Sequence, residues 1–221
     1  MSTLMLTAAD GHRFSAYRAG AEDATMGVVV VQEIFGVNSH MRFASDALAA
    51  SGFAVIAPAL FDRAETGVEL GYTPEDVQAG LALRARITEE QAMMDIAAAA
   101  ASLGTMPLGI IGYCWGGTIA WWGATRGQGF KAAVGWYGGG IASTKTETPN
   151  CPVQLHFGAE DHGIPLTDVD AIRAAQPGVE VYLYEGAGHG FGCEQRGSFD
   201  QKSFDLAQNR SLDFFRKHLA A

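Results

Sequence analysis

The stretch Leu108-Gly109-Ile110-Ile111-Gly112-Tyr113-Cys114-Trp115-Gly116-Gly117 decides how the chain is read. It begins as an apolar, β-branched run of the kind that is buried on both faces of a sheet. It ends on a cysteine framed by glycines, and Trp115–Thr125 follows at once with helical composition. Strand, sharp turn, nucleophile and helix in that order form the G-x-S-x-G elbow, here with sulfur in place of oxygen. Glycines are needed because side chains flanking so tight a turn would strike the neighbouring strand and helix. The helix N-terminus beneath the sulfur favours negative charge, which suits a thiolate and an oxyanion alike.

Working outward, strands and helices alternate. Residues 2–7 and 12–18 form an opening hairpin about Asp10-Gly11, a turn dipeptide. Val28–Val31 is a buried strand, Gln32–Asn38 a loop, and Ser39 caps a helix to about Ala50. Phe53–Ala57 is the next strand, stopped by Pro58. Residues 61–88 are polar, contain Gly67, Gly71 and Pro74, and read as an excursion from the core with a short helix after Thr73-Pro74-Glu75-Asp76. Thr88-Glu89-Glu90 opens a helix to about Leu103. Beyond the elbow, strands are expected at Lys131–Tyr137, Val153–Phe157 and Val179–Tyr184, with helices at Pro165–Gln176 and Phe199–Leu219. The pattern predicts one α/β domain over residues 1–221, a mostly parallel sheet with helices on both faces. In such sheets the chemistry sits at the carboxyl ends of the strands.

The composition narrows the function. The 221 residues carry 15 basic against 24 acidic side chains, a net charge of −9 without a basic run, so no nucleic-acid partner is expected. The longest apolar run, Gly27–Val31, is far short of the roughly 20 residues of a membrane span, so no membrane partner is expected either. The first residues lack a charged segment and an apolar segment, and no secretion signal is read there. Cys114, Cys151 and Cys193 are too few for a disulfide framework, which fits a reducing cytoplasm.

A cysteine nucleophile needs a base, and the base needs an orienting acid. Two loops that follow apolar strands supply them in the order nucleophile, acid, histidine: Gly158-Ala159-Glu160-Asp161-His162-Gly163 and Glu185-Gly186-Ala187-Gly188-His189-Gly190-Phe191. Asp161 and His189 are the candidates. Glu160 competes with the acid and His162 adjoins it, whereas His12, His40, His156 and His218 fall in or beside regular elements. An oxyanion hole takes one N–H from Trp115 and a second from the loop after the third strand, where Ile34 is the donor.

Five blocks make the chain resemble the dienelactone hydrolase (carboxymethylenebutenolidase) family of the α/β-hydrolase superfamily. They are Gln32-Glu33-Ile34-Phe35-Gly36-Val37-Asn38 with Met41-Arg42, Gly112-Tyr113-Cys114-Trp115-Gly116-Gly117, Gly135-Trp136-Tyr137-Gly138, Asp161-His162 with Pro165, and Ala187-Gly188-His189-Gly190-Phe191. The resemblance implies an α/β-hydrolase fold and a carboxylic ester hydrolase that opens a small lactone through a thioester, giving maleylacetate. It implies neither metal nor organic cofactor, and a place in aromatic degradation. It also gives Glu33 a role: this glutamate holds the resting thiol and takes its proton when substrate binds. Other readings of the same residues are a general small ester or thioester hydrolase and a non-catalytic binding protein.

The resemblance departs at the substrate carboxylate. Such enzymes hold it with two arginines, one in the excursion and one four residues after the catalytic histidine. The second position is Cys193 here, and the serine expected after the histidine is Gly190. Arg63 is the expected substitute in the excursion, with Arg84, Arg86 and Arg196 as further candidates. Phe35, Tyr137 and Phe191 are expected to line an apolar substrate pocket.

Overall fold

The structure is a computed structural model in which residues 1–220 are described; Ala221 lies outside them. Strands β1 (Ser2–Thr7) and β2 (Arg13–Ala19) form the opening hairpin, in the register Ser2↔Arg18 to Thr7↔Arg13. Then come β3 (Gly27–Val31), α1 (Ser39–Ala50), β4 (Ala54–Pro58), a 3-10 turn (Leu60–Arg63), α2 (Pro74–Arg84) and α3 (Glu89–Ala101). The second half holds β5 (Leu108–Tyr113), α4 (Trp115–Thr125), β6 (Phe130–Trp136) and a second 3-10 turn (Ile141–Thr144). It closes with β7 (Val153–Gly158), α5 (Leu166–Ala175), β8 (Glu180–Tyr184) and α6 (Gln201–Leu219).

The eight strands form one sheet in the order β1-β2-β4-β3-β5-β6-β7-β8, antiparallel from β1 to β4 and parallel from there on. It is an α/β-hydrolase fold. Every residue of β3, β5 and β7 is buried, as strands covered by helices on both faces must be. The order reverses at β3: the chain leaves it for β4 on one side and returns to β5 on the other. A crevice opens at such a reversal. In register there, Val31 at the end of β3 faces Gly112 at the end of β5. The oxyanion loop and the elbow therefore start side by side. No helix among the described residues is long and apolar enough to cross a membrane.

Two boundaries differ from expectation for local reasons. Asn38, not Ser39, caps α1: its Oδ1 accepts the Met41 N–H at 3.2 Å from an extended backbone, and Ser39 is already helical. Asp200 caps α6 by accepting the Ser203 N–H at 2.8 Å, so Phe199 stays outside it. The excursion is more ordered than its polarity implies. Thr73 and Thr88 each close a capping box, starting α2 and α3. Gly80 of α2 lies against the oxyanion loop, where a Cβ would come within 2.0 Å of the Ile34 carbonyl oxygen.

Candidate active site

Cys114 sits between β5 and α4 with φ 55° and ψ −115°, outside the regions an L-residue prefers. Such strain costs on the order of 1–3 kcal/mol and persists only where the surroundings enforce it. Here the Cys114 N–H donates to the Trp136 carbonyl at 3.0 Å, and its own carbonyl accepts from Gly117 at 3.0 Å and Thr118 at 3.3 Å. The flanking glycines are sterically obligatory. A Cβ on Gly112 would stand 1.9 Å from the Gly116 oxygen, one on Gly116 2.3 Å from the Val31 oxygen, and one on Gly117 2.4 Å from the Trp136 oxygen. All three obstacles are backbone, which cannot step aside.

The loops after β7 and β8 are tied together by Ala159 N–H to Tyr184 O and Glu160 N–H to Ala187 O, both 2.9 Å. That tie brings acid and base into line. His189 Nδ1 lies 2.7 Å from Asp161 Oδ2, and Asp161 Oδ1 accepts the Gly163 N–H at 2.8 Å. Asp161 is buried while Glu160 and His162 are exposed, which resolves the choice of acid. Burial pulls the His189 pKa down, but hydrogen bonds to Asp161 and Cys114 and the negative charge of Asp161 outweigh it, so the group is held up at about 10. The structure thus brings Cys114, His189 and Asp161 together.

The oxyanion loop is pinned from below. Gln32 Oε1 accepts the Leu60 N–H at 2.9 Å, and the Gln32 amide donates to the Glu33 carbonyl at 3.2 Å. It is stitched to the excursion by Leu70 N–H to Phe35 O at 2.9 Å and by Asn38 Nδ2 to Leu70 O at 3.0 Å. Ile34 and Trp115 are both buried, Trp115 under the Phe61 ring at 5.7 Å. The Glu33 side chain is wholly buried and neither carboxylate oxygen has a hydrogen-bond partner among the described residues. Its nearest cation is Arg196, with Nη1 3.6 Å from Oε1. Arg42, a plausible partner by proximity in sequence, pairs instead with Glu69 at 2.7 Å.

Three expectations about substrate contacts need correction. Arg63 is not available to a substrate: its side chain is 5% exposed, gripped through two nitrogens by buried Asp95 at 2.8 Å and by Asp10 at 2.7 Å. Arg86 is engaged as well, donating to the Ala64 carbonyl at 2.7 Å. Phe191 is a core side chain, stacked on Trp136 at 5.4 Å and edged by Tyr137 and Tyr184. Of the other candidates, Arg196 lies beside Glu33 with its guanidinium 5.7 Å from both Phe35 and Tyr72, and exposed Arg84 lies 6.0 Å from the Trp115 ring centroid. Tyr137, left-handed at φ 38°, puts its ring 5.2 Å from His189. Gly190 makes room for Arg196: at φ 75°, a Cβ on it would stand 2.5 Å from Nη1.

The sequence reading passed over one cluster. His40 in the first turn of α1 is buried, and its Nδ1 lies 2.6 Å from Glu194 Oε2. Burial pulls its pKa down, but hydrogen bonds to Cys193 and Glu194 and the charge of Glu33 carry it up to about 10. The one available signal was Cys193, standing where the family has arginine.

Residues 14–219 match the dienelactone hydrolase family. A relative from Synechocystis sp., named "Putative carboxymethylenebutenolidase", is 35% identical over 212 residues, 87% of this chain and 86% of the relative. The "Carboxymethylenebutenolidase" of Pseudomonas putida is 32% identical over 219 residues, 93% of this chain and 92% of its own. The crystal structure of a "Putative Dienelactone Hydrolase" from Klebsiella pneumoniae superposes with a TM-score of 0.81 at 30% identity, covering 98% of this chain and all of that one.

Proposed function

The chain belongs to the dienelactone hydrolase family and is a carboxylic ester hydrolase, and we propose that it opens a small anionic lactone with Cys114 as nucleophile. The observation that carries this reading is the Asp161–His189 contact of 2.7 Å, aimed at a thiol on a strained, glycine-framed elbow. On this reading Glu33 takes the thiol proton when substrate enters. The Cys114 sulfur bonds to the lactone carbonyl carbon, and the N–H groups of Ile34 and Trp115 hold the oxyanion. Collapse breaks the ring C–O bond; the enolate leaves with the proton that His189 carried, and a thioester remains. His189 then takes a proton from water, whose oxygen attacks the thioester, and the thiolate departs from the new acid. For dienelactone the product is maleylacetate, which fits a role in aromatic degradation.

The pKa causes explain how one imidazole serves both halves. Once Glu33 has taken the thiol proton, the Cys114 charge helps hold His189 protonated. Acylation removes that charge, so the His189 pKa falls just when a neutral base is needed. A reactive thiol of this kind goes with a reducing cytoplasm, where it escapes oxidation.

For the substrate carboxylate we assign Arg84 and Arg196, with Phe35 and Tyr137 beside the ring. The test is hydrolysis of cis- and trans-dienelactone beside an uncharged aryl acetate. Cys114→Ala should lose about 10⁴-fold or more on every substrate turned over. Arg196→Ala should raise the dienelactone KM by about ten-fold or more, the worth of one charged hydrogen bond, and leave the aryl acetate KM alone. Activity surviving in Cys114→Ala overturns the nucleophile. Wild-type turnover of the aryl acetate alone moves the substrate to neutral esters, a reading favoured by Cys193 at one clamp position.

A further inference from the structure

Beneath the thiol lies a group of side chains for which acyl transfer has no use. Cys193 and His40 are buried beside Glu33, and one ligating atom of each lies within 4.8 Å of the other two. Both Glu33 oxygens are buried without hydrogen-bond partners among the described residues. A buried carboxylate with neither oxygen satisfied is costly unless something binds it. His40 Nδ1 is already engaged by Glu194 at 2.6 Å. That is how metal-ligating histidines are fixed: a carboxylate holds one nitrogen, sets the tautomer and aims the other.

From this arrangement we infer that Glu33, His40 and Cys193 form a binding site for a divalent zinc-like cation, with Glu194 positioning His40. Thiolate, imidazole and carboxylate are a borderline-soft donor set that suits zinc and disfavours magnesium or calcium. The charge closes as well. With the Cys193 and His40 Nε2 protons displaced, the thiolate, Glu33 and Glu194 against the single guanidinium of Arg196 leave two negative charges for the ion to neutralise. Arg196 addresses only Oε1 of Glu33, at 3.6 Å, and leaves Oε2 to the cation. On binding, the Cys193 S–H proton and the His40 Nε2–H proton go to solvent as the sulfur–metal and nitrogen–metal bonds form. The ligands come from the loop after β3, the first turn of α1 and the loop after β8, so no local spacing announces the site.

The site has a regulatory consequence, which rests on the acyl-transfer reading. A Glu33 carboxylate bound to a cation cannot take the proton of Cys114, so the occupied enzyme is held off.

Cobalt(II) is the probe, because thiolate ligation gives it a near-ultraviolet charge-transfer band. Titrated into metal-stripped full-length protein, Co²⁺ should give the band at one equivalent in wild type and in Cys114→Ser, and zinc should abolish it. Cys193→Ser should lack the band, and Glu194→Gln should need about 10- to 100-fold more metal. Circular dichroism checks that each variant is folded. No band in wild type overturns the site, as does a band that survives Cys193→Ser or depends on Cys114. The wild-type and Cys114→Ser titrations decide this even if Cys193→Ser does not fold. In parallel, zinc should inhibit wild-type aryl acetate turnover in step with occupancy. Failure of the acyl-transfer reading would appear as turnover in Cys114→Ala and would leave the cobalt band unchanged.

Discussion

Arg63 separates a structural arginine from a substrate-binding one. Its guanidinium meets Asp95 through Nε and Nη2, each at 2.8 Å, with the two side chains 5% and 0% exposed. Truncation in Arg63→Ala leaves the Asp95 carboxylate buried without its counter-charge. Breaking such a pair from one side costs about 3–5 kcal/mol. Asp10 is exposed and adds little to that figure. For a chain of this size, about 2–4 °C per kcal/mol predicts a melting temperature lower by about 6–20 °C. Calorimetry and urea titration read the loss directly. Burial already raises the Asp95 pKa, and losing Arg63 raises it further. A folded-state pKa above the unfolded value means stability is lost as pH rises between the two, so the deficit should shrink in acid. The double variant Arg63→Met with Asp95→Leu should regain most of the loss. The dienelactone KM of a folded Arg63→Ala enzyme should stay within about two-fold of wild type, against the ten-fold or more of a lost charged contact. A stability loss under about 1 kcal/mol, the range of an exposed pair, or a ten-fold rise in KM, refutes the argument.

Other perturbations address the triad and the core. Cys114→Ala should lower the His189 pKa from about 10, because a hydrogen bond that raises it is gone; NMR titration of the ring protons reads this, and an unmoved value would contradict the pairing. His156 is wholly buried and held down at about 3 by burial, with Arg210 adding to the effect. Its unfolded form binds a proton that the folded form refuses. Stability is therefore full above about pH 6.5 and falls by up to about 1.4 kcal/mol per unit toward pH 3. His156→Gln should flatten that slope in urea titrations across the range, and an unchanged slope would assign acid sensitivity elsewhere. Gly112→Ala forces a Cβ onto the Gly116 carbonyl oxygen at 1.9 Å, so it should cost about 3 kcal/mol or more and deprive Cys114 of its geometry. Wild-type activity in that variant would mean the elbow tolerates opening.

The elements and the triad were legible because their signals are local. The apolar runs of β3, β5 and β7 can be buried on both faces only within a covered parallel sheet. Gly112, Gly116 and Gly117 announce an elbow because no other residue fits there. Arg63 was not legible. A charge in a polar segment reads as exposed, and nothing about Asp95 in an alanine-rich helix marks it as a buried partner 32 residues away. His40 and Glu194 meet across 154 residues, an encounter set by the strand order and not by spacing. Asn38 and Ser39 can both cap a helix, and only the backbone angles decide between them.

The fit between Gly190 and Arg196 restricts how this loop can change. A Cβ at position 190 would face the guanidinium at 2.5 Å on a backbone at φ 75°, so a serine beside His189 requires the flexible end of Arg196 to swing away. A change to serine there therefore moves the guanidinium away from Glu33, which loses its nearest cation. The two positions are thus coupled. A library that varies them together should recover active pairs more often than one that varies position 190 alone.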